Sequence, residues 1–149
     1  VNTSSGNGGL VLIPTTPIYA TTKAAVSTIS EALHLQFKQA RAKLSASVLY
    51  PGPNVVATNI FSAARNRPAS LPPERPLGTP PTLDDLRKWS EQAGREFKVT
   101  TPEEVAEYAF AGISKGRFYL LPESAEMDKR IRDRVEGVLA RRDPEFQLG

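Results

Sequence analysis

Short extended segments alternate with long helical ones along this chain, and that alternation narrows its fold more than any other feature. Residues 45–50, SASVLY, are an apolar run of strand length that stops at Pro51-Gly52. Residues 117–121, RFYLL, are a second such run, and Val1-Asn2-Thr3-Ser4-Ser5 reads as the end of a third that enters a turn. Helical stretches separate them. Strands joined through helices pair in parallel, so the expected class is α/β. A parallel sheet needs several strands buried on both faces, and the chain therefore reads as beginning in the middle of something larger.

Between the first two runs, residues 6–16 (GNGGLVLIPTT) suggest a glycine-rich turn followed by a short extended piece. Thr16 and Pro17 are suited to open a helix as cap and first helical residue. That helix is expected to run to about Ala42, with Val26, Ile29, Leu33 and Phe37 as its buried face. Lys38, Arg41 and Lys43 gather at its C-terminal end, where positive charge is favoured. Residues 53–81 read as mostly irregular, with a short helix around 57–65; six of the thirteen prolines fall between 68 and 81.

Thr82 with Asp85 three positions on predicts a further helix with a Leu83, Leu86, Trp89 stripe. Thr101-Pro102-Glu103-Glu104 has the pattern of a capping box and opens another, with Val105, Ala109, Phe110 and Ile113 on one face. Residues 125–142 complete the pattern as an amphipathic helix, with Met127, Ile131, Val135, Val138 and Leu139 turned inward.

Composition removes several function classes. The chain has no cysteine, which excludes disulfides, thiolate metal sites and cysteine nucleophiles. Its single histidine, His34, excludes a multi-histidine metal site, and it reads as a surface or interface residue. Nineteen basic and sixteen acidic residues are dispersed along the chain, without the basic stripe of a nucleic-acid binder. No apolar run is long enough to span a membrane, and no signal peptide is visible, so a cytoplasmic protein is expected.

The stretch Tyr19-Ala-Thr-Thr-Lys23 holds the most chemistry. Residues four apart share a helical face, which brings the phenol and the amine together. An unperturbed phenol titrates near pH ~10, and a fixed cation nearby favours its ionised form, so the pair is a tunable acid and base. Alone, such a pair is an everyday surface contact. Ser5 adds a hydroxyl at a strand end, where α/β sheets commonly present functional groups.

Taken in order, Asn2-Thr3-Ser4-Ser5-Gly6, the YxxxK of Tyr19 and Lys23, Tyr50-Pro51-Gly52, Thr58-Asn59 and the late strand RFYLLP resemble the short-chain dehydrogenase/reductase family over most of the chain. The resemblance implies a Rossmann-like doubly wound parallel sheet, of which residues 1–149 form the C-terminal half of one domain. It implies an NAD(P)-dependent oxidoreductase interconverting a ketone or aldehyde and an alcohol. Ser5, rather than Ser4, would polarise the carbonyl; Tyr19 would be the acid or base; Lys23 would hold the nicotinamide ribose. Pro51 and Gly52 would pass beneath the nicotinamide, and Val56 and Thr58 would contact its carboxamide and the phosphates. Pro53-Asn54 stretches that interval, so Val55 and Val56 are both candidates and Thr58 stays open with them. Gly6 and Asn7 would border the substrate.

The family's glycine-rich cofactor loop lies upstream of its serine strand and is not among these residues, so the chain reads as part of a longer enzyme. The cofactor is expected to be NAD or NADP, with a lean to NADP. Residues 53–100 would be the substrate-lid insertion. A homodimer or homotetramer is expected through the tyrosine helix and the helix opened at Thr101, where Ala24, Ala32 and Ala106 allow close packing. The alternatives are a truncated, non-catalytic family member acting as an interaction or regulatory module, and a sugar-nucleotide epimerase, which the Pro-Gly segment fits less well.

Overall fold

The computed structural model describes residues 1–74 and 76–144. The proline-rich stretch 61–81 is thus described apart from Arg75, and the expected domain over 1–149 is described to residue 144. The chain divides into two units, one made of Val1–Pro53 with Glu103–Gly149 and one of Asn54–Pro102.

The first unit holds a parallel three-stranded sheet in the order β1-β2-β5, from β1 (Asn2–Thr3), β2 (Val48–Leu49) and β5 (Tyr119–Leu120). Asn2 lies opposite Val48, which lies opposite Tyr119. The ladder continues past the strands, with Ser4 N–H donating to the Leu49 carbonyl and Tyr50 N–H to that of Leu120. Three further elements belong here: α1 (Gly6–Gly9), a single turn, α2 (Pro17–Gln39) and α5 (Ala125–Leu139). With α4 (Pro102–Ser114) the alternation read from the sequence is complete.

Side chains alternate across a pleated strand, and here each face meets a different helix. Asn2 and Tyr119 reach α2, through Asn2 Nδ2 to Ser30 Oγ at 3.0 Å and the Tyr119 hydroxyl to Glu31 Oε1 at 3.0 Å. Leu120 points the other way, where a methyl added at Gly112 of α4 would meet its Cδ2 at 2.5 Å. Helices on both faces make the sheet doubly wound. Val48 and Leu120 are its buried apolar residues, and Val105 and Ala109 are those of α4.

The helical faces differ from those the periodicity predicts. On α2 the buried residues are Ala20, Ser27 and Ser30, whereas Ile29 is 57% exposed. On α4 they are Val105, Ala109 and Gly112, and Phe110 is 70% exposed. None of α5 is fully buried, and Val138 and Leu139 stand out from it. His34 is partly buried, its ring 4.8 Å from that of Phe118.

The second unit contains a parallel pair that the sequence reading leaves irregular: β3 (Val55–Val56) beside β4 (Val99–Thr100). The short helix expected around 57–65 is a 3-10 helix over Asn59–Asn66. The helix α3 (Leu83–Gln92) starts at Thr82 with a full capping box, the Thr82 side chain accepting from Asp85 N–H and Asp85 accepting from Thr82 N–H. Trp89 is exposed, so the predicted stripe is only partly covered.

Candidate functional site

Tyr19 and Lys23 occupy the first two turns of α2, and the Lys23 ammonium lies 5.7 Å from the centre of the Tyr19 ring. The same ammonium donates to the Thr3 carbonyl oxygen at 3.1 Å. That bond ties the helix to the end of β1 and leaves two ammonium hydrogens for other acceptors. The Tyr19 hydroxyl has no hydrogen-bond partner among the described residues.

The two serines at the end of β1 differ sharply. Ser4 is buried at 2% exposure, donates to the Lys23 carbonyl at 2.7 Å and lies 2.8 Å from Ser27 Oγ. Ser5 is half-buried and caps α1, its Oγ accepting from Asn7 N–H at 3.2 Å. An accepting hydroxyl keeps its own hydrogen to donate, so Ser5 can still serve a second oxygen.

The GNGG segment is a folded turn rather than a loose one. Asn7 holds it, donating from Nδ2 to Thr16 Oγ1 at 2.8 Å and accepting from Ile13 N–H at 2.9 Å. Thr16 thereby accepts from Asn7 and makes no side-chain cap on α2, contrary to expectation. Gly6 lies beside α5, where an added methyl would meet Met127 Cε at 3.4 Å.

Pro51 and Gly52 follow β2 after Tyr50. Gly52 is buried with φ at 126°, a backbone geometry that side-chain-bearing residues rarely take. From α4, the Tyr108 hydroxyl donates to the Tyr50 carbonyl at 3.0 Å. Burial pushes the Tyr108 phenol up to about 12, with an opposing pull from the Gly52 backbone. Sequence reasoning passed over Tyr108, although a tyrosine on the buried side of α4 was the available signal. Val56 and Thr58 belong to the other unit; Val56 is in β3, and Thr58 precedes the 3-10 helix with its side chain making no cap.

These donors suit a nicotinamide ribose, whose diol accepts hydrogen bonds: Lys23 has spare ammonium hydrogens and Tyr19 a free hydroxyl on the same helical face. Among the described residues no group of histidine, aspartate or glutamate is placed to hold a metal. A cleft of about 440 Å3 opens between α1, α2 and α5, with Gly9, Ala24, Glu31 and Arg134 in its lining and without Ser5, Tyr19 or Lys23.

No family model matches the chain, and no curated protein matches it. Among solved structures it is similar to a short chain dehydrogenase/reductase from Burkholderia phymatum, a crystal structure in complex with NAD. The two share 30% sequence identity with a TM-score of 0.78, over 99% of this chain and 50% of that one. The chain thus spans about half the length of the protein it matches. A parallel sheet wound on both faces, the order of its elements and this likeness together identify the fold as the C-terminal half of a short-chain dehydrogenase/reductase.

Proposed function

We propose that this chain carries the proton-transferring part of an NAD(P)-dependent oxidoreductase that interconverts a ketone or aldehyde and an alcohol. The observation that carries the reading is the tether of Lys23 to the carbonyl of Thr3, two positions before Ser5 in the chain, with its ammonium beside Tyr19. A nicotinamide cofactor, when bound, would supply or accept the hydride. Ser5 donates its hydroxyl hydrogen to the substrate oxygen and holds it in place. Tyr19 gives that oxygen a proton in reduction and takes one in oxidation. Lys23 binds the ribose diol, and its charge stabilises the phenolate left when the proton departs.

Pro51 and Gly52 would contribute backbone beneath the nicotinamide. Val56 and Thr58 are the candidates for the carboxamide and phosphate contacts, and Gly6 and Asn7 for the substrate border. The Asn7 side chain is committed within its own loop, so its part there falls to the backbone. The unit Asn54–Pro102 contains most of the stretch 53–100, which we read as the substrate lid. A homodimer or homotetramer through α2 and α4 gives the exposed Ile29, Leu35 and Phe110 a partner surface. The NAD held by the Burkholderia protein supports NAD(P) in general and gives no reason to favour NADP. No described helix is long and apolar enough to cross a membrane, and cytoplasmic residence belongs to the same reading.

Titrating NADH and then NADPH onto the purified chain, read by nicotinamide fluorescence, tests the reading. Saturable binding that Lys23→Met weakens supports it. A folded chain that binds neither nucleotide removes the cofactor role from these residues as they stand here.

A further inference from the structure

We propose that Ser4, Ser27 and Tyr50 form a buried positioning set that fixes the Lys23 turn of α2 against the strand ends. The inference rests on the roles proposed for Tyr19 and Lys23.

All three side chains are nearly sealed from solvent. The Tyr50 hydroxyl donates to Ser27 Oγ at 3.0 Å, Ser27 and Ser4 are 2.8 Å apart, and Ser4 donates to the Lys23 carbonyl at 2.7 Å. Each hydroxyl owns one hydrogen. The order that gives every contact a proton is Tyr50 to Ser27, Ser27 to Ser4, and Ser4 to the Lys23 carbonyl. Ser27 also lies 3.2 Å from that carbonyl, a longer and weaker alternative. The result is a one-way chain ending on the backbone of the residue whose ammonium stands beside Tyr19.

Each member borders a different part of the candidate site. Ser4 precedes Ser5, Ser27 is one helical turn beyond Lys23, and Tyr50 precedes Pro51-Gly52. Gly9 closes the set from the turn that holds Gly6 and Asn7: a methyl there would lie 2.5 Å from Tyr50 Cε1, 2.7 Å from Ser4 Oγ and 2.8 Å from Ser27 Oγ. Hydrophobic packing alone does not need three hydroxyls at this point. Buried hydrogen bonds have narrow geometric tolerance, and a fully satisfied network fixes its members in one arrangement. Every buried polar side-chain atom among the described residues has a partner, so this network is complete.

The test uses the chain labelled with carbon-13 at the tyrosine Cζ and lysine Cε positions, as wild type, Tyr50→Phe, Ser27→Ala and the double variant. Tyr50→Phe keeps the ring and removes only the hydroxyl, so it decides the matter if Ser27→Ala fails to fold. The expected result is that Tyr50→Phe moves the Tyr19 Cζ and Lys23 Cε resonances, although its hydroxyl touches neither residue. Ser27→Ala moves them the same way, and the double variant moves them no further than the larger single change. NADH affinity also falls in Tyr50→Phe, by no more than the about fivefold that one hydrogen bond is worth. Unmoved resonances, or shifts that simply add, overturn the positioning set. If the resonances move as expected while the wild type binds no NADH, the cofactor reading fails and the positioning set stands. If NADH binds wild type and Tyr50→Phe equally and the resonances stay put, the positioning set fails and the cofactor reading stands.

Discussion

The Lys23 ammonium donates to the Thr3 carbonyl at 3.1 Å while standing 5.7 Å from the centre of the Tyr19 ring. One contact anchors the lysine to the sheet and the other places its charge beside the phenol. A lysine free in solution would sweep a wide volume, and this one is held at a strand end by a backbone group that cannot rotate away. Its remaining donors therefore start from a fixed place, which is what the proposed acid–base pair requires of its cation.

Tyr19→Phe separates the chemistry from the binding. The substitution removes one oxygen and keeps the ring, so the helix and the Lys23 tether remain. In a catalytically active preparation, turnover is expected to fall by about 10²–10⁴, the usual worth of a positioned general acid or base. Nicotinamide affinity should fall far less, since only the Tyr19 hydroxyl is lost and Lys23 keeps its donors to the ribose. Steady-state kinetics beside a fluorescence titration checks both halves. Turnover near the wild-type rate would take the proton-transfer role away from Tyr19.

Four glycines form a graded test of the packing. Gly8 has φ at 91°, and a methyl on it would run into the backbone of Ala20, which α2 holds in place. Gly9 is hemmed in by Tyr50, Ser4 and Ser27. Gly116 also has positive φ, at 65°, but open space around it, and Gly137 lies in α5 with nothing within 4 Å. Gly9→Ala should cost about 1–3 kcal/mol through overpacking, and Gly8→Ala more, because backbone cannot step aside. Gly116→Ala should cost about 1 kcal/mol from the left-handed geometry alone. Gly137→Ala should instead stabilise, by about 0.5–1 kcal/mol, since alanine is the better helix former. Urea unfolding of the four variants gives the order directly, and a destabilising Gly137→Ala would contradict the open environment of α5.

Much of the fold is legible in the sequence because it is written in local signals. Thr82 with Asp85, proline after Thr16 and the Pro51-Gly52 stop each depend on residues a few positions apart. The buried faces are not legible in that way. Period-3.6 counting selects Val26, Ile29, Leu33 and Phe37 on α2, yet Ser27 and Ser30 are the residues that meet the sheet. They are buried because Ser4, Tyr50 and Asn2 supply hydrogen-bond partners from distant strands, and a sequence does not reveal such partners. Apolar residues such as Ile29 and Phe110 are then left outside, where hydropathy cannot tell a core face from a docking face. The pair β3 and β4 escapes notice for a related reason. Each strand is two residues long, and they find each other across more than forty intervening positions.

At α3 the cap itself can be measured. The Thr82 hydroxyl, more than any other group, holds the Asp85 carboxyl below its ordinary range. The sign follows from linkage: a lowered carboxyl favours the folded helix start above its unfolded value of 3.8 and loses that support as pH falls through the folded value. Thr82→Ala should cost about 1 kcal/mol of local helix stability at neutral pH. It should also return the Asp85 titration towards that of a free aspartate. Amide exchange across Leu83–Gln92 reads the first effect and carbon-13 titration of the carboxyl reads the second. Unchanged exchange would show that contacts elsewhere hold this turn.

Tyr108 predicts how the first unit responds to alkali. Burial, the larger cause, raises its phenol from 10.0 to about 12, and its hydroxyl donates to the Tyr50 carbonyl just ahead of Pro51-Gly52. A raised value means that the folded chain holds the proton more tightly than the unfolded one does. Its contribution is therefore complete below pH 10 and is lost as pH climbs from 10 to about 12. Tyr50 and Tyr119 are also raised, chiefly by burial, and act in the same direction. Tyr108→Phe keeps the ring, cannot ionise, and leaves the Tyr50 carbonyl without that donor. At neutral pH the variant should be less stable than wild type by about 1 kcal/mol, one hydrogen bond's net worth. Above pH 10 the wild type loses stability faster, so its advantage over the variant should shrink steadily as pH rises and be gone before about 12. Urea midpoints across this range give the comparison, and parallel curves would mean that the Tyr108 hydroxyl titrates alike in the folded and unfolded chain.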